Sequence, residues 1–94
     1  MFEARMGENN EIQLFGRFDA AQVEAARAVF DKITNSGTVT FQHLEYISSA
    51  GLGILIMTQK RLKESGNALR LINLNKHIRD VFRYARFDNI FEIG

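Results

Sequence analysis

The sequence contains no cysteine, no proline and no tryptophan. Without cysteine the chain has no disulfide, no thiolate metal ligand and no thiol nucleophile, and this composition fits a reducing compartment. We therefore expect a cytoplasmic protein that is stabilised by its core alone. Because no proline, linker, repeat or low-complexity segment divides the 94 residues, we expect one domain spanning residues 1–94.

Long apolar runs and a strong charge of either sign are also lacking. The longest apolar run, residues 52–57, is far shorter than the roughly 20 residues that span a bilayer, and the first residues do not resemble a signal peptide. The 12 basic and 11 acidic residues give a net charge of +1, which does not suit a phosphate backbone. We therefore predict no membrane insertion, no export and no nucleic-acid binding.

The one local excess of basic residues lies near the C-terminus on an amphipathic pattern. It consists of Lys76, His77, Arg79, Arg83 and Arg86. Asp80 and Asp88 dilute its charge. We interpret this excess as the solvated face of a helix.

Hydrophobic periodicity divides the chain into alternating strands and helices. Strands are predicted at residues 2–6, 11–15, 38–41 and 69–72, the first two joined as a hairpin. Three helices are predicted: one after Asp19 as N-cap and ending at residues 35–37, one from Ala50 or Gly51 to about Ser65, and one around residues 78–85. Residues 42–49 lack a helical period and are predicted as a loop. Residues 90–93 fit either a helical turn or an edge strand.

This order of elements predicts the fold class. Strands that alternate with helices form right-handed crossovers and hence parallel strand pairs. We expect a mixed α/β fold with a mainly parallel sheet of four to five strands, an N-terminal hairpin, and about three to four helices.

The most informative segment, residues 46–53, places Ser48 and Ser49 before a helix, among small residues. The first turn of a helix has unpaired N–H groups and a positive dipole end, so a phosphate on either serine would be well placed there. A serine at this position is also an ordinary N-cap, and the nearby glycines would also allow close packing of the helix on a sheet. Periodicity alone leaves both interpretations open.

The segment Leu-Glu-Tyr-Ile-Ser-Ser-Ala-Gly-Leu-Gly at residues 44–53 resembles the central motif of STAS domains. Residues 16–20 are similar to the Gly-x-(Leu or Ile)-Asp loop of that family, residues 61–66 to the end of its second helix, and residues 71–91 to its C-terminal third. The resemblance covers nearly the whole chain. It implies a STAS fold and the function of an anti-sigma-factor antagonist.

Aligned on Gly51, the resemblance implies that Ser49 is the phosphorylated residue. Ser48 stands where the family usually has Asp and is therefore a rival acceptor, and Thr40 stands where an Asp is often found in the preceding strand. Asp19 keeps the family's loop Asp. The implied partners are an anti-sigma factor with serine kinase activity, bound before phosphorylation and released after it, and a serine-phosphate phosphatase.

We expect the partner surface to surround Ser49. Its predicted members are Phe18, Asp19, Ser48, Ser49, Ala50, Gly51, Gly53, Ile54 and Met57. Among the apolar residues of the second helix, Met57 or Ile54 is expected to be partly exposed, because flexible Met side chains suit adaptable contacts. We expect a monomer or a weak homodimer.

Other function classes find little support in the sequence. No phosphate-binding glycine motif is present, His43 and His77 are far apart and outside any ligand-spaced cluster, and Ser49 lacks the Gly-x-Ser-x-Gly elbow of hydrolases. We therefore predict no cofactor, no metal and no enzymatic activity. The alternative function is an unphosphorylated STAS scaffold subunit of a signalling or transport assembly.

Overall fold

Five strands form one sheet in a computed structural model that describes residues 1–94. In chain order, which is also their order in the sheet, the strands are β1 (Phe2–Met6), β2 (Glu11–Phe18), β3 (Gly37–Ile47), β4 (Leu69–Ile72) and β5 (Glu92–Ile93). The β1–β2 pair is antiparallel and every other neighbouring pair is parallel. The predicted mixed α/β fold with an N-terminal hairpin is confirmed.

Three α-helices connect the parallel strands: α1 (Val23–Phe30), α2 (Ser49–Lys63) and α3 (Lys76–Tyr84). Helix α1 is shorter than predicted, because the chain first forms a 3-10 turn at Ala20–Gln22 and the helix ends before Ile33. Asp19 caps that 3-10 turn, not α1 itself, by accepting a hydrogen bond from the Ala21 N–H at 3.1 Å. None of these helices is both long and apolar enough to cross a bilayer.

Strand β3 is longer than the sequence predicted: of the loop predicted at residues 42–49, residues 42–47 belong to β3 and Ser49 belongs to α2, so that only Ser48 connects the two. The seven pairs of the β2–β3 ladder span eight residues of β2 and ten of β3, because the register shifts between Gln13 and Phe15 and again between Gly16 and Arg17. Each shift is a β-bulge that adds one residue to β3. The buried residues in this half of β3 are therefore three positions apart, namely Phe41, Leu44 and Ile47. Such spacing hides the alternation that identifies a strand.

All three helices share one core with the sheet. The core contains 20 buried apolar residues, including Phe18 and Val39 from the sheet, Phe30 from α1, Leu55 from α2 and Phe82 from α3. Edge-to-face contacts of Phe82 with Phe41 and Phe91 hold α3 and the C-terminal segment in place. One contiguous core of this kind agrees with a single packing unit.

The opposite face of the sheet carries side chains of β1, β2 and β3. Arg5 lies 5.1 Å from the centroid of the Phe15 ring, His43 stacks on that ring at 5.0 Å, and Arg17 lies 4.4 Å from the centroid of the Tyr46 ring. A hydrogen bond from Arg5 lowers the pKa of the neighbouring Glu3 carboxyl. These stacked pairs cover apolar surface on the side of the sheet away from the core.

Gln59 fastens the C-terminal end of the chain to the core. It is 2% exposed. Its Oε1 accepts a hydrogen bond from the Leu69 N–H at 2.7 Å and its Nε2 donates to the Ile90 carbonyl at 2.8 Å. The same segment continues into β5, which pairs with β4, so residues 92–93 form the edge strand that was one of the two predicted options.

We predict that Gln59→Leu lowers the free energy of unfolding by about 2 kcal/mol, because it leaves the buried Leu69 N–H without an acceptor. Urea denaturation followed by circular dichroism measures this change. Lys60→Gln, at the exposed neighbouring position, serves as the control and should change stability by less than about 0.5 kcal/mol. Equal stability of Gln59→Leu and the wild type would contradict the prediction.

Candidate functional site

The candidate site lies where β2 and β3 end side by side and α2 begins. Phe18 and Ile47 form the last pair of the parallel β2–β3 ladder. One residue further, the Ser48 N–H donates a hydrogen bond of 2.9 Å to the Phe18 carbonyl. The loop that starts at Asp19 and the first turn of α2 therefore leave the sheet as neighbours.

The two serines occupy different environments. Ser48 is the N-cap of α2, and its half-buried Oγ accepts a hydrogen bond from the Gly51 N–H at 3.3 Å. Ser49 is the first residue of α2, one position earlier than the predicted start, and its side chain is exposed. Its Oγ forms no hydrogen bond. Of the two hydroxyls that the sequence left as rivals, only that of Ser49 is free.

The two glycines of α2 also differ, in the space around their Cα atoms. A Cβ on Gly51 would lie 2.9 Å from Ile47 Cγ1, 3.0 Å from Phe18 Cγ and 3.1 Å from the Phe18 carbonyl oxygen. Gly51 is thus required for the first turn of α2 to pack on the strand ends. A Cβ on Gly53 would meet nothing within 4 Å. Packing explains Gly51 but not Gly53.

One face of α2 is left uncovered beside the free hydroxyl. Ser49, Gly53 and Met57 follow one another at intervals of four residues, so they lie in a row along the helix. Met57 is 59% exposed, which confirms its predicted exposure. We call these three residues the α2 stripe. Ala50, half-buried, lies next to it at the start of the helix.

Three predicted members of the partner surface prove to be buried. Phe18 is fully buried, Ile54 is 5% exposed and Gly51 is buried among the strand ends. Contrary to the prediction, these three residues are therefore not part of the exposed surface around Ser49. Phe18 and Gly51 position the start of α2, and Ile54 belongs to the core because it lies on the inward face of the helix.

Asp19 and Thr40 have local structural roles. Asp19 is half-buried and shapes the loop that borders the site through its bond to Ala21. Thr40 is buried, and its Oγ1 accepts a hydrogen bond from Asn73 Nδ2 at 3.0 Å. Eight residues of extended chain, roughly 25 Å, separate Thr40 from Ser48, so the structure does not bring Thr40 to the site.

A groove that the sequence did not predict lies next to the α2 stripe. It lies between α1 and α2 and has a volume of about 350 Å³. Its lining residues are Arg27, Phe30, Asp31, Ile54, Met57, Thr58 and Arg61. Arg61 donates hydrogen bonds to the carbonyl oxygens of Ile33 at 2.8 Å and Phe30 at 3.0 Å. No pattern within one helix reveals this groove, because both helices contribute to it.

Comparison with known sequences identifies two relatives that are named as anti-sigma factor antagonists. BtrV of Bordetella bronchiseptica, a protein assigned as an anti-sigma factor antagonist, is 36% identical over 77 residues, which cover 81% of this chain and 66% of BtrV. The anti-sigma-B factor antagonist of Bacillus subtilis is 23% identical over 96 aligned positions, covering 98% of this chain and 88% of that protein. The chain thus spans just under two thirds of BtrV and most of the Bacillus protein.

The fold is shared with the anti-sigma factor antagonist SpoIIAA. Its unphosphorylated form superimposes with a TM-score of 0.72 at 20% identity, covering 100% of this chain and 87% of that one. The phosphorylated Bacillus form gives a TM-score of 0.70 at 20% identity, covering 100% and 91%. A family model described as "Mlab, STAS domain" matches residues 1–92. The chain therefore belongs to the STAS domain family.

Proposed function

We propose that this chain is an anti-sigma factor antagonist whose binding to an anti-sigma factor is switched off by phosphorylation of Ser49. The observation that carries the proposal is the free, exposed hydroxyl of Ser49 at the head of the α2 stripe. The names of the two relatives support the antagonist function, and the two forms of SpoIIAA show that a neighbour of this fold is phosphorylated.

The switch needs only local electrostatics. A phosphoserine carries about −1.5 to −2 charges at neutral pH. At the first turn of α2 the unpaired N–H groups and the helix dipole accommodate this charge while it is hydrated. Against a bound protein the same charge must be desolvated or repels acidic groups, and a cost of about 3 kcal/mol weakens binding roughly 100-fold.

Ser49 is a better acceptor than Ser48 because its oxygen is free to attack. Phosphorylation of Ser48 would require breaking its bond to the Gly51 N–H, and the loss of an N-cap costs about 1 kcal/mol. Ser49 can be extended toward a kinase without any change in α2. The kinase and its ATP belong to the partner, and this chain supplies the substrate hydroxyl and no catalysis of its own.

We also propose the identity of the partners, the location of the chain and its oligomeric state. The anti-sigma factor is the serine kinase, and a serine-phosphate phosphatase restores the binding form. Since such partners act on transcription, the proposal places the chain in the cytoplasm. In its free form the chain is a monomer or a weak homodimer.

We predict that Ser49→Asp weakens binding to the cognate anti-sigma factor by about 10- to 100-fold, while Ser49→Ala stays within roughly threefold of the wild type. Isothermal titration calorimetry measures both affinities. Because an acidic residue in the first turn of a helix does not destabilise it, the loss cannot come from unfolding. Equal affinities of the two variants would refute the switch.

A second prediction concerns the acceptor itself. Incubation with the anti-sigma factor and ATP should phosphorylate the wild type and Ser48→Ala, but not Ser49→Ala, and mass spectrometry of the intact chain and its peptides locates the phosphate. Ser48→Ala is the matched control and should lose about 1 kcal/mol of stability as a missing cap. Phosphate on Ser48 in the wild type would contradict the assignment. A chain that binds but is never phosphorylated would be the alternative scaffold.

The two glycines of α2 provide a matched pair for testing how the start of the helix packs. Gly53→Ala should raise the free energy of unfolding by about 0.5–1 kcal/mol, because Ala favours the helix and its Cβ meets nothing. Gly51→Ala should lower it by about 1–3 kcal/mol through collision with Phe18 and Ile47. Urea denaturation measures both changes.

If the partner covers the stripe, Gly53→Leu should weaken binding by roughly tenfold or more without loss of stability, since a bulky side chain there prevents close approach. Calorimetry with the anti-sigma factor tests this. Wild-type affinity for Gly53→Leu would mean that the partner lies elsewhere.

A further inference from the structure

The groove between α1 and α2 combines an apolar floor with guanidinium groups. Among its apolar lining residues, the buried Phe30 and Ile54 form the floor, and the exposed Met57 forms one wall. Met57 also belongs to the α2 stripe, so the groove and the stripe make one continuous surface. A partner that covers the stripe would therefore contact the groove at the same time.

The positive charges of the groove are not neutralised within the chain. The ion pairs of the structure join Glu3 with Arg5, Arg70 with Glu92 and Asp80 with Arg83. None of them involves Arg27 or Arg61, and the one carboxylate in the lining, that of Asp31, pairs with neither. The groove thus carries two unpaired cations against one anion.

Arg61 is already held in place for binding. Its two hydrogen bonds to the carbonyl oxygens at the end of α1 use two of the five N–H donors of a guanidinium and leave three free. A side chain held in this way loses little conformational entropy when it binds a ligand. Arginine also recognises carboxylates more effectively than lysine because its planar donors pair with both oxygens.

We propose that this groove receives an acidic and apolar anchor of the anti-sigma factor. The anchor is a Glu or Asp next to a large apolar side chain: its carboxylate pairs with Arg27 and Arg61, and the apolar side chain fills the floor beside Met57. This inference rests on the proposed function, because the partner is the same protein. A protein segment fits better than a free anion because the floor is apolar and continuous with the α2 stripe.

The groove and the phosphorylation site act at different ends of α2. Ser49 and Met57 are eight residues apart, about 12 Å along the helix axis, so a phosphate on Ser49 does not compete for the groove. The anchor therefore supplies affinity and partner choice, while Ser49 controls release. Losses of affinity at sites that do not touch should simply add in free energy.

The test is the affinity of the anti-sigma factor for Arg27→Glu, measured by calorimetry at about 50 mM and about 300 mM salt. We expect Arg27→Glu to bind roughly 30-fold more weakly at low salt. Arg27→Met, which keeps the apolar stem, should lose less affinity. The affinity of both variants should fall less steeply with added salt than that of the wild type. Arg83→Glu, the same charge reversal on the exposed face of α3, should stay within about threefold. In combination with Ser49→Asp, the two losses should multiply.

The outcomes separate the two proposals. If Ser49→Asp weakens binding and Arg27→Glu does not, the groove proposal is wrong and the proposed function stands. If Arg27→Glu and Arg83→Glu weaken binding equally, the effect is one of overall charge and the groove proposal is also wrong. If the wild type does not bind the anti-sigma factor, both proposals are overturned.

Discussion

The hydrogen bond between the Ser48 N–H and the Phe18 carbonyl fixes the relation between the sheet and the site. It closes the β2–β3 ladder one residue beyond its last pair, so α2 must begin directly above the buried Phe18 ring. Gly51 then has no room for a side chain, and Ser48 becomes the cap. The position of Ser49, exposed and without a hydrogen bond, follows from these constraints.

The faces of helix α2 differ in burial. The inward face packs Leu52, Leu55 and Leu62 into the core, while the stripe of Ser49, Gly53 and Met57 remains uncovered. Gly53 lowers helix stability by up to about 1 kcal/mol relative to Ala and has no packing role that offsets this cost. The proposed partner would meet this bare helix surface between the free Ser49 hydroxyl and the exposed Met57 side chain.

Much of the fold could be predicted because its elements follow regular periods. The hairpin, the three helices and the mainly parallel sheet all came from local patterns of apolar residues. The second half of β3 could not be predicted, because two bulges change its inward spacing from two residues to three. The exposure of Met57 and burial of Ile54 were also ambiguous, since apolar residues surround the first turns of α2 and no single stripe stands out.

The sequence predicted which segment contains the candidate site, but not which residues are exposed together on its surface. The resemblance favoured Ser49 over Ser48, but it could not show that the Ser48 hydroxyl is used as a cap, because the bond from the Gly51 N–H to Ser48 is a property of the folded turn. Phe18 was expected to meet a partner and is instead the residue on which α2 rests. The groove of Arg27 and Arg61 depends on residues 34 positions apart in the chain, which only the packing of α1 against α2 brings together.

The phosphorylation switch is tested most directly by the affinity of the anti-sigma factor for the chain carrying one phosphate on Ser49, compared by calorimetry with the unmodified chain. We expect phosphorylation to weaken binding by roughly 100-fold or more, with unchanged far-ultraviolet circular dichroism because α2 does not refold. Equal affinity of the two forms, or a loss that accompanies unfolding of α2, would contradict the switch.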